Sequence, residues 1–393
     1  MPTAGRIRRL AVRAWWAAAV LCLGLAMAGP APASARQQSV EHWPLFGINS
    51  WQWLDTDAEL EPLSDTPIGS YRVVFSWRAV EPRAGAAYDF GVPDNLVAAA
   101  ARADLQLLPV LIESPSWVTG GEPRPTEPPE PGYEMERFEL FTAAVARRYG
   151  RDGDFWREHP ELPYLPLRTW EVWNEPNFPS FWFPGRPPEP TEYRSLLAAA
   201  RRGLHSGDRL ARILFGGLAY GQTAVPPDRY LRDFLRLPGA ACLFDDMSIH
   251  PYRPSPGSAL RAINGMRGLL DRAGRRDAGM WLTEYGWSTG PSHRFHVSEA
   301  GQRRNLVRLT KAVLRRRRRL RLRGIYWFAL RDEPGQGDDT RWWGWHTGLL
   351  RLDGTPKPAF DSYLRLARRS PDASATADPR CGHSGADRAR RRW

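Results

Sequence analysis

The chain has 393 residues, of which 42% are hydrophobic and 25% charged, with 18 tryptophans, three cysteines and a formal net charge of +12. That hydrophobic share excludes a disordered or fibrous chain, and three cysteines are too few for a disulfide-stapled scaffold. The positive charge is localised: Arg6, Arg8, Arg9 and Arg13 fall in the leader, eight basic residues lie between Lys311 and Arg323, and no recognition motif accompanies them, so nucleic-acid binding is not expected.

The first segment reads as a secretory signal peptide over residues 1–35. Arginines precede an apolar run from Ala14 to Ala28, and Ala33-Ser34-Ala35 has the small-residue spacing that a signal peptidase accepts. The run is short of the roughly 20 residues a membrane span needs and ends in Gly29-Pro30. Cleavage is therefore expected to release a secreted chain, extracellular or associated with the cell wall, without a stable membrane association. Cys22 leaves with the leader. Cys242 reads as an inert thiol, since no His/Cys cluster with ligand spacing surrounds it, and neither a metal site nor a cofactor is expected. A single folded domain is expected over 36–369. Residues 370–393, rich in Ser, Ala, Asp and Arg, read as a disordered tail.

Within the domain, strands are expected in chain order near 44–51, 71–77, 105–112, 167–174, 212–219, 245–252, 280–287 and 324–330, each a short apolar, β-branched or aromatic run. DNLVAAAARA, FELFTAAVARRY, TEYRSLLAAARRGL and the stretch 298–319 have helical periodicity and follow several of them. Repeated βα units with no glycine-rich phosphate loop after the first strand predict an α/β fold, a (β/α)8 TIM barrel, rather than an open doubly wound sheet. The arginine run KAVLRRRRRLRLR precedes the last strand and reads as a solvated helix face; the alternative is a patch resting on an anionic polymer.

Polar and aromatic residues gather where the strands end: Asn49 and Trp51, Trp77, Glu113 and Trp117, Asn174 and Glu175, His250 and Tyr252, Glu284 and Trp287, and Trp327. In α/β barrels that end carries the site. The proline-rich insertions GGEPRPTEPPEPG and FPSFWFPGRPPEP follow the third and fourth strands and read as loops lining it. Trp182 and the WWGW run at 342–345 add further flat surfaces, on which sugar C–H faces stack.

Glu175 ends the fourth strand and Glu284 the seventh, and in a closed eight-stranded barrel these two strands face one another across the mouth. Cleaving a glycosidic bond takes such a pair, one carboxylic acid to protonate the leaving oxygen and one carboxylate facing the anomeric centre. Both glutamates are flanked by aromatic residues, where an unpaired charge is costly.

The motifs W-N-E-P in WEVWNEPN and T-E-Y-G-W in LTEYGWST resemble those of clan A glycoside hydrolases. FSWRAVEPRAGAAYDF, LLPVLIESPSW, MSIHPY and GLLRLDGTPKPAF are similar to segments of family 39 β-xylosidase-like and family 5 cellulase-like members, so the resemblance runs from Phe46 to Leu366. It implies Glu175 as acid/base, Glu284 as nucleophile and retention of configuration. It implies further that Asn174 holds the neighbouring hydroxyl, Arg72 keeps the nucleophile ionised, His250 and Tyr252 contact substrate or nucleophile, and Trp327 is the sugar platform. Trp117, at the end of the third strand, reads as a further substrate contact, with core packing the alternative. The expected activity is hydrolysis of β-glycosidic bonds in a polysaccharide or oligosaccharide. A non-catalytic carbohydrate-binding barrel is the alternative, and an anionic-polymer binder a third.

Overall fold

In the computed structural model the described residues are 43–49, 60–122, 124–182, 188–290, 294–335 and 342–370, with the backbone of Asp372–Ala373. The leader expected over 1–35, Trp51 and nearly all of the tail expected over 370–393 lie outside them. Asp372–Ala373 pairs antiparallel with Trp43–Pro44, so the first residues of that tail are tied to the start of the domain.

Eight parallel strands close into a barrel: β1 Phe46–Asn49, β2 Ser70–Ser76, β3 Gln106–Ile112, β4 Thr169–Val172, β5 Arg212–Ala219, β6 Asp246–His250, β7 Met280–Tyr285 and β8 Leu322–Phe328. Closure runs from β1 to β8 through Phe46↔Ile325 to Asn49↔Phe328. All eight expected strands are present. The strands are buried almost throughout, which is why they read as continuous apolar runs rather than alternating ones.

Among the described residues, seven principal helices surround the barrel: α1 Gly91–Arg102, α2 Tyr133–Tyr149, α3 Pro190–Gly207, α4 Pro227–Arg236, α5 Pro256–Arg272, α6 Glu299–Leu314 and α7 Pro358–Arg368. Their starts are chemically marked. Proline opens α3, α4, α5 and α7, where its missing N–H would have no helical partner. Ser255 forms a capping box with Ser258, and Ser298 caps α6, each cap contributing about 1 kcal/mol. A Cβ on Gly203 of α3 would lie 2.1 Å from the Glu139 carbonyl of α2, so only glycine allows that close helix crossing.

The barrel interior is layered. Leu108, Leu214, Trp281 and Tyr326 fill its floor, with Trp43 packed beneath. Above them the buried residues turn polar: Arg72, Glu171, Ser248 and Thr283. The arginine run spans the end of α6 and the turn Arg317–Leu320, ahead of β8 and hence at the barrel's N-terminal end. Arg315, Arg317, Arg318, Arg319 and Arg321 are exposed there, as the reading of a solvated face predicts, on the opposite side from the strand ends. Cys242 corrects the sequence reading: it is disulfide-bonded, not a free thiol. Among the described residues no helix is long and apolar enough to cross a membrane.

Candidate active site

The interior of β2 and the C-terminal ends of β4, β6 and β7 bring Arg72, Asn174, Glu175, His250, Tyr252 and Glu284 into one hydrogen-bonded cluster. Arg72, inside β2, donates through Nε to Glu171 at 2.6 Å, through Nη1 to Glu284 at 2.7 Å and through Nη2 to Oδ1 of Asn174 at 2.9 Å. The guanidinium is thus shared between two carboxylates and is only 4% exposed. Burial works against its charge, but Glu171 and Glu284 outweigh that penalty and raise its pKa. Arg72 thus makes a structural ion pair with Glu171 below and the expected contact to Glu284 above.

Glu284 is held by two donors, Arg72 on Oε1 and the Tyr252 hydroxyl on Oε2 at 2.8 Å. Glu175 accepts neither. Its Oε1 lies 2.7 Å from Nδ1 of His250, and its backbone takes a positive φ of 44°, two residues after Trp173 at 65°. Left-handed backbone in two non-glycine residues costs on the order of 1–3 kcal/mol each and persists where surrounding structure imposes it. Here Trp173 is pinned through Nε1 to the Phe181 carbonyl and through its backbone N–H to Leu111.

The two environments differ electrically. Burial, then the charge of Glu284, push the Glu175 carboxyl well above its ordinary range. Burial also raises Glu284, but Arg72 and the Tyr252 hydrogen bond pull it back. Of the pair, Glu175 is therefore pushed the more strongly toward its protonated form. Burial and the nearby Arg72 charge push His250 well below its ordinary value, so its ring is neutral. Asn174, its Oδ1 fixed by Arg72, presents Nδ2 as a donor.

One donor atom from each of Glu175, His250 and Glu284 lies within 4.8 Å of the others. That spacing would admit a cation, though both oxygens of Glu284 are hydrogen-bonded by Arg72 and Tyr252 and the guanidinium already supplies a positive charge beside them.

Three residues fall elsewhere than expected. Trp327 is fully buried, packs against Tyr285 and Trp287, and donates to the Thr347 carbonyl; its ring faces the helix layer. Because neighbours in a strand point to opposite faces, the next residue, Phe328, is the one at the mouth, grouped with Tyr252, Phe295 and the half-buried Trp342 and Trp343. Trp117 packs edge-on against Trp77 and donates to the Glu81 carbonyl, apart from the cluster. Glu113, read as a third carboxylate of the site, faces Arg78 across 3.5 Å and is raised by burial; the third carboxylate in contact is Glu171. A charged residue inside an apolar strand is the sequence signal that would have found it. Trp77, Trp182 and Trp287 are core residues.

No family model matches the sequence, and no curated protein matches it. Solved structures do match its fold. A family 39 glycoside hydrolase from the gut symbiont Bacteroides cellulosilyticus WH2 superposes with a TM-score of 0.57 at 18% identity, over 82% of this chain and 63% of that one. A monomeric β-xylosidase from Caulobacter crescentus CB15 gives 0.61 at 18% identity, over 82% and 67%. GH5_18 from Streptomyces cattleya, solved in complex with GlcNAc, gives 0.59 at 19%, over 90% and 87%. These neighbours are clan A glycoside hydrolases. The chain thus has their barrel, in line with the resemblance of its two motifs, while spanning less than two thirds of the length of the Bacteroides protein.

Proposed function

We propose that this chain is a retaining β-glycosidase in which Glu175 is the acid/base and Glu284 the nucleophile. The observation that carries the reading is the unequal treatment of two adjacent carboxyls: Arg72 and Tyr252 both hydrogen-bond Glu284, whereas burial and the charge of Glu284 keep Glu175 protonated. Carboxylate oxygens of the two lie within 4.8 Å of each other. That short approach favours the roughly 5–5.5 Å separation of retaining enzymes over the roughly 6.5–9.5 Å of an inverting pair.

In this mechanism Glu175 gives its proton to the departing oxygen as Glu284 attacks the anomeric carbon. Water, deprotonated by Glu175, then releases the sugar from Glu284 with net retention. Asn174 Nδ2 is positioned to hold the adjacent sugar hydroxyl, a contact that strengthens in the transition state. Trp342 and Trp343 offer the apolar surface assigned from sequence to Trp327. The alternative of a purely sugar-binding barrel gives no role to the unequal hydrogen bonding of the two carboxyls.

The substrates follow from the neighbours' chemistry: β-linked pyranosides such as the xylosides implied for a β-xylosidase or the Manβ1-4GlcNAc bound by a GH5_18 enzyme. Export rests on the leader sequence. The test is hydrolysis of aryl β-xylosides, mannosides, glucosides and N-acetylglucosaminides by wild type and by Glu284→Ala and Glu175→Ala. Expected are loss of turnover in the first variant and, in the second, a loss far larger for poor leaving groups than for activated ones. Full activity in Glu284→Ala would end the proposal.

A further inference from the structure

Two strand irregularities build a line of side chains beneath the mouth. The β5–β6 register slips between Phe215 and Leu218, at Gly216-Gly217. A Cβ on Gly217 would sit 2.1 Å from Nε2 of His250, so the glycine makes the slot for the imidazole, and its N–H donates to Oε1 of Glu171 at 2.9 Å. The β7–β8 register slips between Leu282 and Tyr285, and the consecutive residues Thr283 and Glu284 both reach the interior cluster. Bulges beside active sites re-aim side chains in this way.

Hydrogen-bond polarity along the line runs in one direction. Glu171, ion-paired with Arg72 at 2.6 Å, is a carboxylate and only accepts. The Thr283 hydroxyl, 3.3 Å from Oε1 of Glu171, therefore donates to it. With its single proton committed, Thr283 Oγ1 turns a lone pair to Nε2 of His250 at 3.0 Å, and Nε2 carries the imidazole proton. A neutral imidazole has one N–H, which leaves Nδ1 bare, 2.7 Å from Glu175.

We infer that Thr283 and Glu171 are positioning residues that lock His250 as its Nε2–H tautomer, with Nδ1 turned to accept the acid proton of Glu175. The inference rests on the acid role proposed for Glu175. No proton travels the line during bond cleavage: Glu175 gives its proton to the leaving oxygen, and the carboxylate left behind faces the Nδ1 lone pair. That repulsion is relieved when Glu175 takes a proton from the water that attacks the glycosyl intermediate. The charged and titratable groups facing His250 are Arg72, Glu171, Glu175, Tyr252 and Glu284, whose Oε2 is 3.6 Å from Nδ1. Arg72 is the only cation among them, and its charge opposes protonation of the ring.

The test is long-range 1H–15N NMR of the histidine-labelled full chain, with the His250 signals assigned by their loss in His250→Gln. At neutral pH the wild type is expected to show an unprotonated Nδ1 and a protonated Nε2; an Nδ1–H tautomer or an imidazolium overturns the inference without any reference to activity. In Thr283→Val the tautomer preference should be lost, freeing Nδ1–H to stabilise ionised Glu175. The alkaline limb of the kcat profile should then move down by roughly one pH unit, and Thr283→Ser should restore both. An unchanged tautomer and limb in Thr283→Val overturns the role of Thr283. If the wild type cleaves no β-glycoside, the functional proposal fails while the NMR result still decides the tautomer.

Discussion

Arg72 donates to Glu284 at 2.7 Å from the same guanidinium that holds Glu171 at 2.6 Å. A residue from β2 thus links the fixed interior of the barrel to the carboxylate that faces the mouth. Replacing it with methionine strands the fully buried Glu171, and removing one partner of a buried pair costs about 3–5 kcal/mol. Arg72→Met should lose that much in denaturant unfolding, together with turnover. Arg72→Met/Glu171→Gln should regain much of the stability and none of the turnover, because Glu284 remains without its cation.

The Tyr252 hydroxyl lowers the pKa of Glu284 by donating to its carboxylate. Tyr252→Phe removes the donor, so Glu284 stays protonated to higher pH. The acid limb of kcat/KM, which reports ionisation of the nucleophile in the free enzyme, should shift upward in that variant, with the alkaline limb nearly unmoved.

Glu175 binds its proton more tightly in the folded chain than in the unfolded one. Its contribution to stability is therefore fully present below the ordinary carboxyl range and is lost as pH rises through its raised folded value. Glu175→Gln keeps the neutral shape and cannot ionise. Urea midpoints should show the variant gaining on the wild type as pH rises from the ordinary carboxyl range through the raised value of Glu175, while its hydrolysis of poor leaving groups collapses. A gap that narrows with rising pH would contradict the protonation state assigned here.

The eight strands and the two glutamates were legible because a strand buried on both faces is a conspicuous apolar run, and a charge at its end is equally conspicuous. The same burial hid which face each residue takes. Trp327 and Phe328 are both large and both buried, so nothing in the sequence says that Phe328, and not Trp327, turns to the mouth. Alternation also conceals the bulges: strict period two would point Thr283 away from Glu284, and only the Gly216-Gly217 pair hinted that β5 departs from it. The disulfide at Cys242 was not legible because a cysteine outside any spacing motif carries no sign of what lies beside it in the fold.

That assignment of faces separates two tryptophans. Trp327→Ala opens a cavity in the packing layer and should cost about 3–5 kcal/mol. Trp343, whose ring centroid is 4.7 Å from that of Tyr252, is half-buried at the mouth. Trp343→Ala should raise KM roughly tenfold through lost stacking and change the unfolding midpoint little.

The central claim, a covalent intermediate on Glu284, is most directly tested by incubating the protein with activated 2-fluoro aryl β-glycosides and mapping any adduct by peptide mass spectrometry. The account predicts one glycosyl unit attached to the peptide containing Glu284, at the same rate-limiting stoichiometry as inactivation. A glycosyl adduct on any other residue, or turnover of the parent glycosides to inverted sugar with no adduct, would contradict it.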